Sequence, residues 1–239
     1  MRERHLVGWM RATAPALAAD ALHELIDRAG KKDSAAQAAM LSLVHLRRYE
    51  EELGYDCLAT IYAHADDRGY ADVKQLLHTG VAKRTLPRDG SPENEFLERT
   101  LGERKGLAMS TNRDIMDRLM RDRHPEVIRI LLQNPRLIER DVVRIAAMRP
   151  AEARVLETIV ESHKWIARYA VKKAIVCNPY TPTNISSSLI GFLLVSDMRT
   201  VADMATLADG LRDAARKRVK ALYRHSETTV ILPNKRIQS

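Results

Sequence analysis

A helix-like segment closed by Asn-Pro occurs twice in this chain, 44 positions apart, and nothing else in the sequence constrains the fold as strongly. The first copy spans 124–137 (HPEVIRILLQNPRL) and the second 167–182 (ARYAVKKAIVCNPYTP). Superposing Asn134-Pro135 on Asn178-Pro179 pairs Val127 with Val171, Ile130 with Ala174 and Leu131 with Ile175. In both copies the apolar side chains fall at i, i+3 and i+4, one face of a helix. Each copy ends where proline removes a backbone donor and pushes the preceding residue out of helical geometry. Short helices cannot bury their apolar faces alone, so repeats of this length imply stacked neighbours. The expected fold class is therefore all-α, an α-solenoid.

Composition agrees with a helical, globular chain: 45% hydrophobic, 29% charged, only 5% aromatic, with 10 glycines in 239 residues. Charge is uneven. Residues 1–100 carry 14 Lys+Arg against 16 Asp+Glu, and residues 101–239 carry 25 against 15, a net +10. Such asymmetry points to a polyanionic partner for the second half, or to arginines that only solvate helix surfaces. No apolar run reaches the roughly 18 residues a membrane span needs. The first twenty residues hold charges and no uninterrupted apolar stretch, so no secretory signal is expected. Cys57 and Cys177 lie far apart and in no motif. A reducing, cytoplasmic setting fits two isolated thiols.

The periodicity predicts four helices over 14–29, 34–53, 55–67 and 70–79, an N-terminal helical region of residues 1–80 punctuated by Gly30, Gly54, Gly69 and Gly80. Residues 81–94 (VAKRTLPRDGSPEN) carry turn chemistry and read as a linker or long loop. From 95 to 224 short helices follow near 94–109, 112–121, 124–133, 138–148, 151–162, 164–177, 182–194, 197–207 and 209–224. The last has Leu211, Ala214, Ala215, Val219 and Leu222 on one face and Arg212, Arg216, Lys217, Lys220 and Arg224 on the other, as suits the capping end of an array. Residues 225–239 read as a flexible tail.

The segments HPEVIRILLQNPRL, DVVRIAAMRP and WIARYAVKKAIVCNPYTP, with LGERKGLAM and DIMDRLMRD more loosely, resemble the HEAT-like and leucine-rich-repeat-variant class of bacterial helical repeat proteins over about 100–210. That resemblance implies a right-handed α-solenoid of stacked helix pairs and a binding role. Some variant-repeat proteins carry an N-terminal cysteine cluster for an iron–sulfur centre, and this chain has none, so no cofactor is implied.

The best candidate binding surface is the helix expected at 164–177. On one continuous helix Lys164, Arg168 and Lys172 form a stripe at i, i+4 and i+8, flanked by Trp165, Tyr169 and Lys173. Arg129, one repeat earlier, would extend it. Cations beside aromatics could neutralise phosphates and stack on bases. The competing reading is a solvated face with Trp165 packed inward. HEAT-like alkylpurine DNA glycosylases combine a basic channel with tryptophans and a catalytic Asp. Here no Asp lies within a turn or two of Trp165, and Asp141 would have to arrive from another helix. His64, Asp66 and Asp67 form the one His/Asp cluster, without further ligands at metal-binding spacing. No phosphate loop and no nucleophile elbow is present. The expectation is a non-enzymatic binding or scaffold protein, with no metal and no catalytic residues, that engages a protein through its concave surface. The alternative is sequence-non-specific nucleic-acid binding through the basic half, with charge reversal at Lys164, Arg168 and Lys172 abolishing binding at unchanged stability.

Overall fold

A computed structural model describes residues 2–44, 50–78, 82–85 and 99–229. All regular structure among them is helical. The N-terminal region holds α1 (Arg2–Ala12), α2 (Pro15–Gly30), α3 (Ser34–Val44), α4 (Glu50–Leu53), α5 (Tyr55–Asp67) and α6 (Ala71–Leu77). The sequence reading has no counterpart of α1, which buries Val7 and Met10 in the N-terminal core. Pro15 opens α2, where a missing N–H costs nothing. Its buried stripe of Ala18, Leu22, Ile26 and Ala29 has the 3–4 spacing of a one-sided helix. Gly54 and Gly69 sit at φ 77° and 70°, which lets the chain reverse at the start of α5 and before α6.

The second region runs through α7 (Leu101–Leu107), α8 (Arg113–Leu119), α9 (Pro125–Leu131), α10 (Glu139–Ala147), α11 (Ala153–Glu161), α12 (His163–Ile166), α13 (Tyr169–Val176), α14 (Thr183–Leu189), a 3-10 turn (Ile190–Phe192), α15 (Val195–Asp203) and α16 (Asp209–Thr229). Starts are set by side chains that satisfy the free amides of a first turn. Thr100 and Glu103 make a reciprocal capping box on α7, Asn112 accepts from Asp114 N at 2.9 Å on α8, and His124 accepts from Glu126 N at 3.2 Å on α9. The helix expected at 209–224 extends to Thr229. The remainder of the expected tail, and most of the expected loop at 81–94, lie outside the described residues.

The helices pack in groups of three or four. The first helix of each group lies on the last: α7 on α9, α10 on α13 and α14 on α16. The Asn-Pro repeat explains the first two closures. Asn134, fully buried, donates through Nδ2 to the carbonyls of Ala108 and Ser110, both at 2.9 Å, just past α7. Asn178 does the same to Ala146 and Met148, at 2.8 and 3.0 Å, at the end of α10. Each Oδ1 then accepts a backbone N–H two residues on, from Arg136 and from Tyr180. One side chain thus satisfies carbonyls that a helix end leaves orphaned and fixes the following turn. The positions paired by the repeat share their environment: Val127, Val171, Leu131 and Ile175 are all fully buried, each contributing about 1.5–3 kcal/mol.

The apolar side chains form two cores, one over residues 7–76 and one over 108–215. Phe192, in the 3-10 turn, packs against both. α14 rests on α3 and α6, and the 3-10 turn rests on α2. Lys83 donates to the carbonyls of Ala205 and Leu207, at 3.1 and 2.7 Å, ahead of α16.

Candidate binding cleft

Where the two regions meet, α2, α6, α14 and α16 enclose a cleft of about 1060 Å³. That is the size of a large ligand pocket, for which about 300–1,000 Å³ is usual. Its floor is apolar, with buried Ile26, Met40, Leu76, Ile190 and Met198. α16 contributes Gly210, Ala214, Lys217, Arg218, Ala221 and Leu222, the i, i+4, i+7, i+8 spacing of one helix face. Small side chains on that face keep the space open, while Leu211 and Ala215 are buried elsewhere in the second core.

The rim is a set of matched charges. His23 stacks on Tyr70, centroids 4.1 Å apart, and its Nδ1 lies 2.9 Å from Asp72. Lys31 pairs with Asp27 at 2.6 Å, Lys74 with Asp66, and Asp213 with Arg216 at 2.8 Å. Arg218 differs. It is half-buried, and among the described residues it makes neither a hydrogen bond nor an ion pair. Its guanidinium lies against Gly30, at the end of α2, and against Gly191, where an added Cβ would come within 3.1 Å of Nη1. Burial pushes its pKa below the ordinary arginine value, and Asp72 and Asp27 oppose that shift only from a distance. Ser187 Oγ, which is buried and without a hydrogen-bond partner, lines the same cleft.

Sequence reasoning assigned Arg218 no role, although a signal existed. It sits in register with Leu211, Ala215 and Leu222, on the side of α16 that should be apolar.

The residues of the expected basic stripe go elsewhere. The helix expected over 164–177 is two helices, because Arg168 is extended (φ −75°, ψ 130°) and starts α13 anew. Lys164, Arg168 and Lys172 therefore do not share one helical face. Trp165 is only 3% exposed and donates through Nε1 to Leu132 O at 2.8 Å, closing the end of α9. Lys164 Nζ lies 4.3 Å from the Trp165 ring centroid. Lys172 is buried, its ammonium bonded to Ala167 O at 2.9 Å and facing the Phe192 ring, and burial lowers its pKa. Arg129 is tied to Glu126 and, at 3.3 Å, to Glu161. Arg168 lies 4.0 Å from Glu139. Only Tyr169 and Lys173 converge, on Asp197: the hydroxyl donates to it and Lys173 pairs with it at 2.9 Å, holding its carboxyl below the usual range.

Asp141, 1% exposed, accepts both terminal nitrogens of Arg113 and the backbone N–H of Ile138, which lowers its pKa. That is the setting of a structural carboxylate. Among the described residues no group of three or more His, Cys, Asp or Glu is placed to hold a metal ion, and no helix is long and apolar enough to cross a membrane. Cys177 is half-buried, and burial raises its pKa. Comparison with protein-family models, with curated proteins and with solved structures finds no match to this chain.

Proposed function

We propose that this chain is a non-enzymatic helical-repeat binding protein, an α-solenoid extended by its N-terminal helices, and that it holds a segment of a protein partner in the cleft at their junction. One observation carries the reading: an open space of about 1060 Å³ with an apolar floor and a charged rim, walled by both regions. Apolar centres with polar rims are the anatomy of protein-binding surfaces. Stacked helix groups support the solenoid plan. The seam, more than a concave face, is where the geometry supports binding.

The alternative, non-specific nucleic-acid binding, draws on the net +10 of residues 101–239. It is weakened by the engagement of Arg129, Arg168 and Lys173 with carboxylates and by the burial of Lys172.

A photo-cross-linking amino acid in place of Leu222, in the cleft wall, tests the reading against one in place of exposed Arg154. Discrete protein adducts from Leu222 and none from Arg154 are expected, together with DNA and RNA binding that vanishes at physiological salt. Equal adducts at both positions would remove the cleft from the argument. Nucleic-acid binding that survives physiological salt would establish the alternative.

A further inference from the structure

We infer that Arg218 anchors an anion subsite in this cleft, and that the subsite receives a carboxylate borne by an acidic, otherwise apolar segment of the partner. The inference rests on the cleft being the binding site.

The cleft lining holds four Lys or Arg (Lys31, Lys74, Lys217, Arg218) and three Asp (Asp27, Asp72, Asp213). Each of the three carboxylates already has a partner: Lys31 pairs with Asp27 and Arg216 with Asp213, and the His23 Nδ1 lies within hydrogen-bond distance of Asp72. Lys74 is satisfied by Asp66. Arg218 is left over, and Lys217 beside it is exposed and likewise has no ion-pair partner among the described residues. A half-buried cation without a partner is costly, and the cost falls when an oxyanion arrives. The depressed pKa of Arg218 has the same cause, loss of water that Asp72 and Asp27 offset only in part.

Arginine presents a planar fork that matches a carboxylate with two parallel N–H donors. Here the guanidinium rests against two residues that have no side chain, Gly30 and Gly191, and a methyl at Gly30 would occupy its place. Ser187 Oγ, buried and unpaired in the same lining, is a further donor with nothing to donate to. A carboxylate would satisfy the guanidinium.

The floor then selects what surrounds the carboxylate. Ile26, Met40, Leu76 and Met198 favour apolar neighbours, so the occupant is a segment in which Asp or Glu stands among apolar residues. A bare phosphate would leave that floor wet.

Short random peptides displayed for selection against the full chain test this without presuming a sequence. The wild type, Arg218→Gln and Gly30→Ala would be screened in parallel. The wild type should enrich acidic residues flanked by apolar ones. The selected peptides should bind Arg218→Gln about tenfold more weakly or worse, since a charge-assisted pair is lost. Gly30→Ala, which keeps the arginine but displaces it, should weaken them as well. Three results would overturn the proposal: peptides bound in the cleft without acidic enrichment, acidic peptides indifferent to both variants, or inorganic phosphate that matches the peptides in affinity and in dependence on Arg218. Failure of the cleft itself reads differently, as selected peptides that do not compete with cross-linking from position 222.

Discussion

Replacing Asn178 with alanine tests the closure of the helix groups directly. The side chain is 1% exposed and makes three hydrogen bonds, to Ala146 O at 2.8 Å, to Met148 O at 3.0 Å and from Tyr180 N at 3.0 Å. The Ala146 and Tyr180 bonds are fully buried, whereas the Met148 bond is only partly so. Truncation leaves two backbone groups in the dry interior without partners, at about 1–3 kcal/mol each. Water can partly restore the third. The expected loss is about 2–5 kcal/mol, roughly 5–15 °C in Tm for a chain of this size. Urea unfolding followed by far-ultraviolet circular dichroism measures it. Asn134→Ala should cost less, about 1–3 kcal/mol, because only its bond to Ala108 O is fully buried. Asn178→Asp sharpens the test. An ionised carboxylate keeps the acceptor for Tyr180 but turns both donors into charges facing carbonyls. The folded state therefore raises the pKa of the new group, and the penalty is present at neutral pH and shrinks as the pH falls and the acid regains a donor. A loss below about 1 kcal/mol for Asn178→Ala, or an Asn178→Asp defect that does not ease in acid, would refute the clamp.

Three further outcomes follow from named contacts. Lys172→Met should hold stability or raise it by about 1 kcal/mol, because it removes a buried ammonium, whereas Lys172→Glu should cost about 2–4 kcal/mol by setting a carboxylate against Ala167 O. Thermal melts distinguish the two, and a melting temperature lowered by Lys172→Glu would count against charge reversal across Lys164, Arg168 and Lys172 at unchanged stability. The Arg113–Asp141 pair holds the Asp141 pKa below its ordinary 3.8, so its contribution is complete above that pH and lost as the pH falls through the folded value. Arg113→Ala should cost about 2–3 kcal/mol at pH 7, discounted for the half-exposed arginine, and should blunt the acid limb of a stability-against-pH curve. Arg218→Met should leave stability unchanged or raise it by up to about 1 kcal/mol while abolishing selection of acidic peptides. A loss above about 2 kcal/mol would mean that the cation serves mainly to hold the end of α2.

The sequence disclosed the repeat and the helical class because both depend on local spacing. Val127 and Leu131 recur as Val171 and Ile175, and the pairing carries straight into the core. The same 44-residue register also held a correction that the stripe argument passed over. It places Lys172 opposite Ile128, which is fully buried, and it pairs Arg129 with Lys173, both of which end in ion pairs. A lysine at a core position looks like a surface lysine when one helix is considered alone, and like a buried one when its repeat partner is consulted. The break at Arg168 left no such trace. HKWIARYAVKKA contains neither Gly nor Pro, and its residues would continue a helix by propensity alone. What divides it is tertiary: α12 packs on α11 while α13 packs on α10, and Trp165 is spent on the carbonyl of Leu132. Nor could periodicity show that Asn134 and Asn178 reach back past intervening helices, since those contacts span 24–32 residues.

Arg218 lies between these cases. Its place on the apolar side of α16 is visible in the sequence, but the carboxylates nearest to it in the cleft belong to α2 and α6, about 150–190 positions earlier, and only the fold reveals that they already have partners. A cation is expected on any basic helix. A cation left unmatched in a seam where each carboxylate already has a partner is what separates a binding position from surface charge. The same logic demotes Arg129, Arg168 and Lys173, whose charges the fold has already answered.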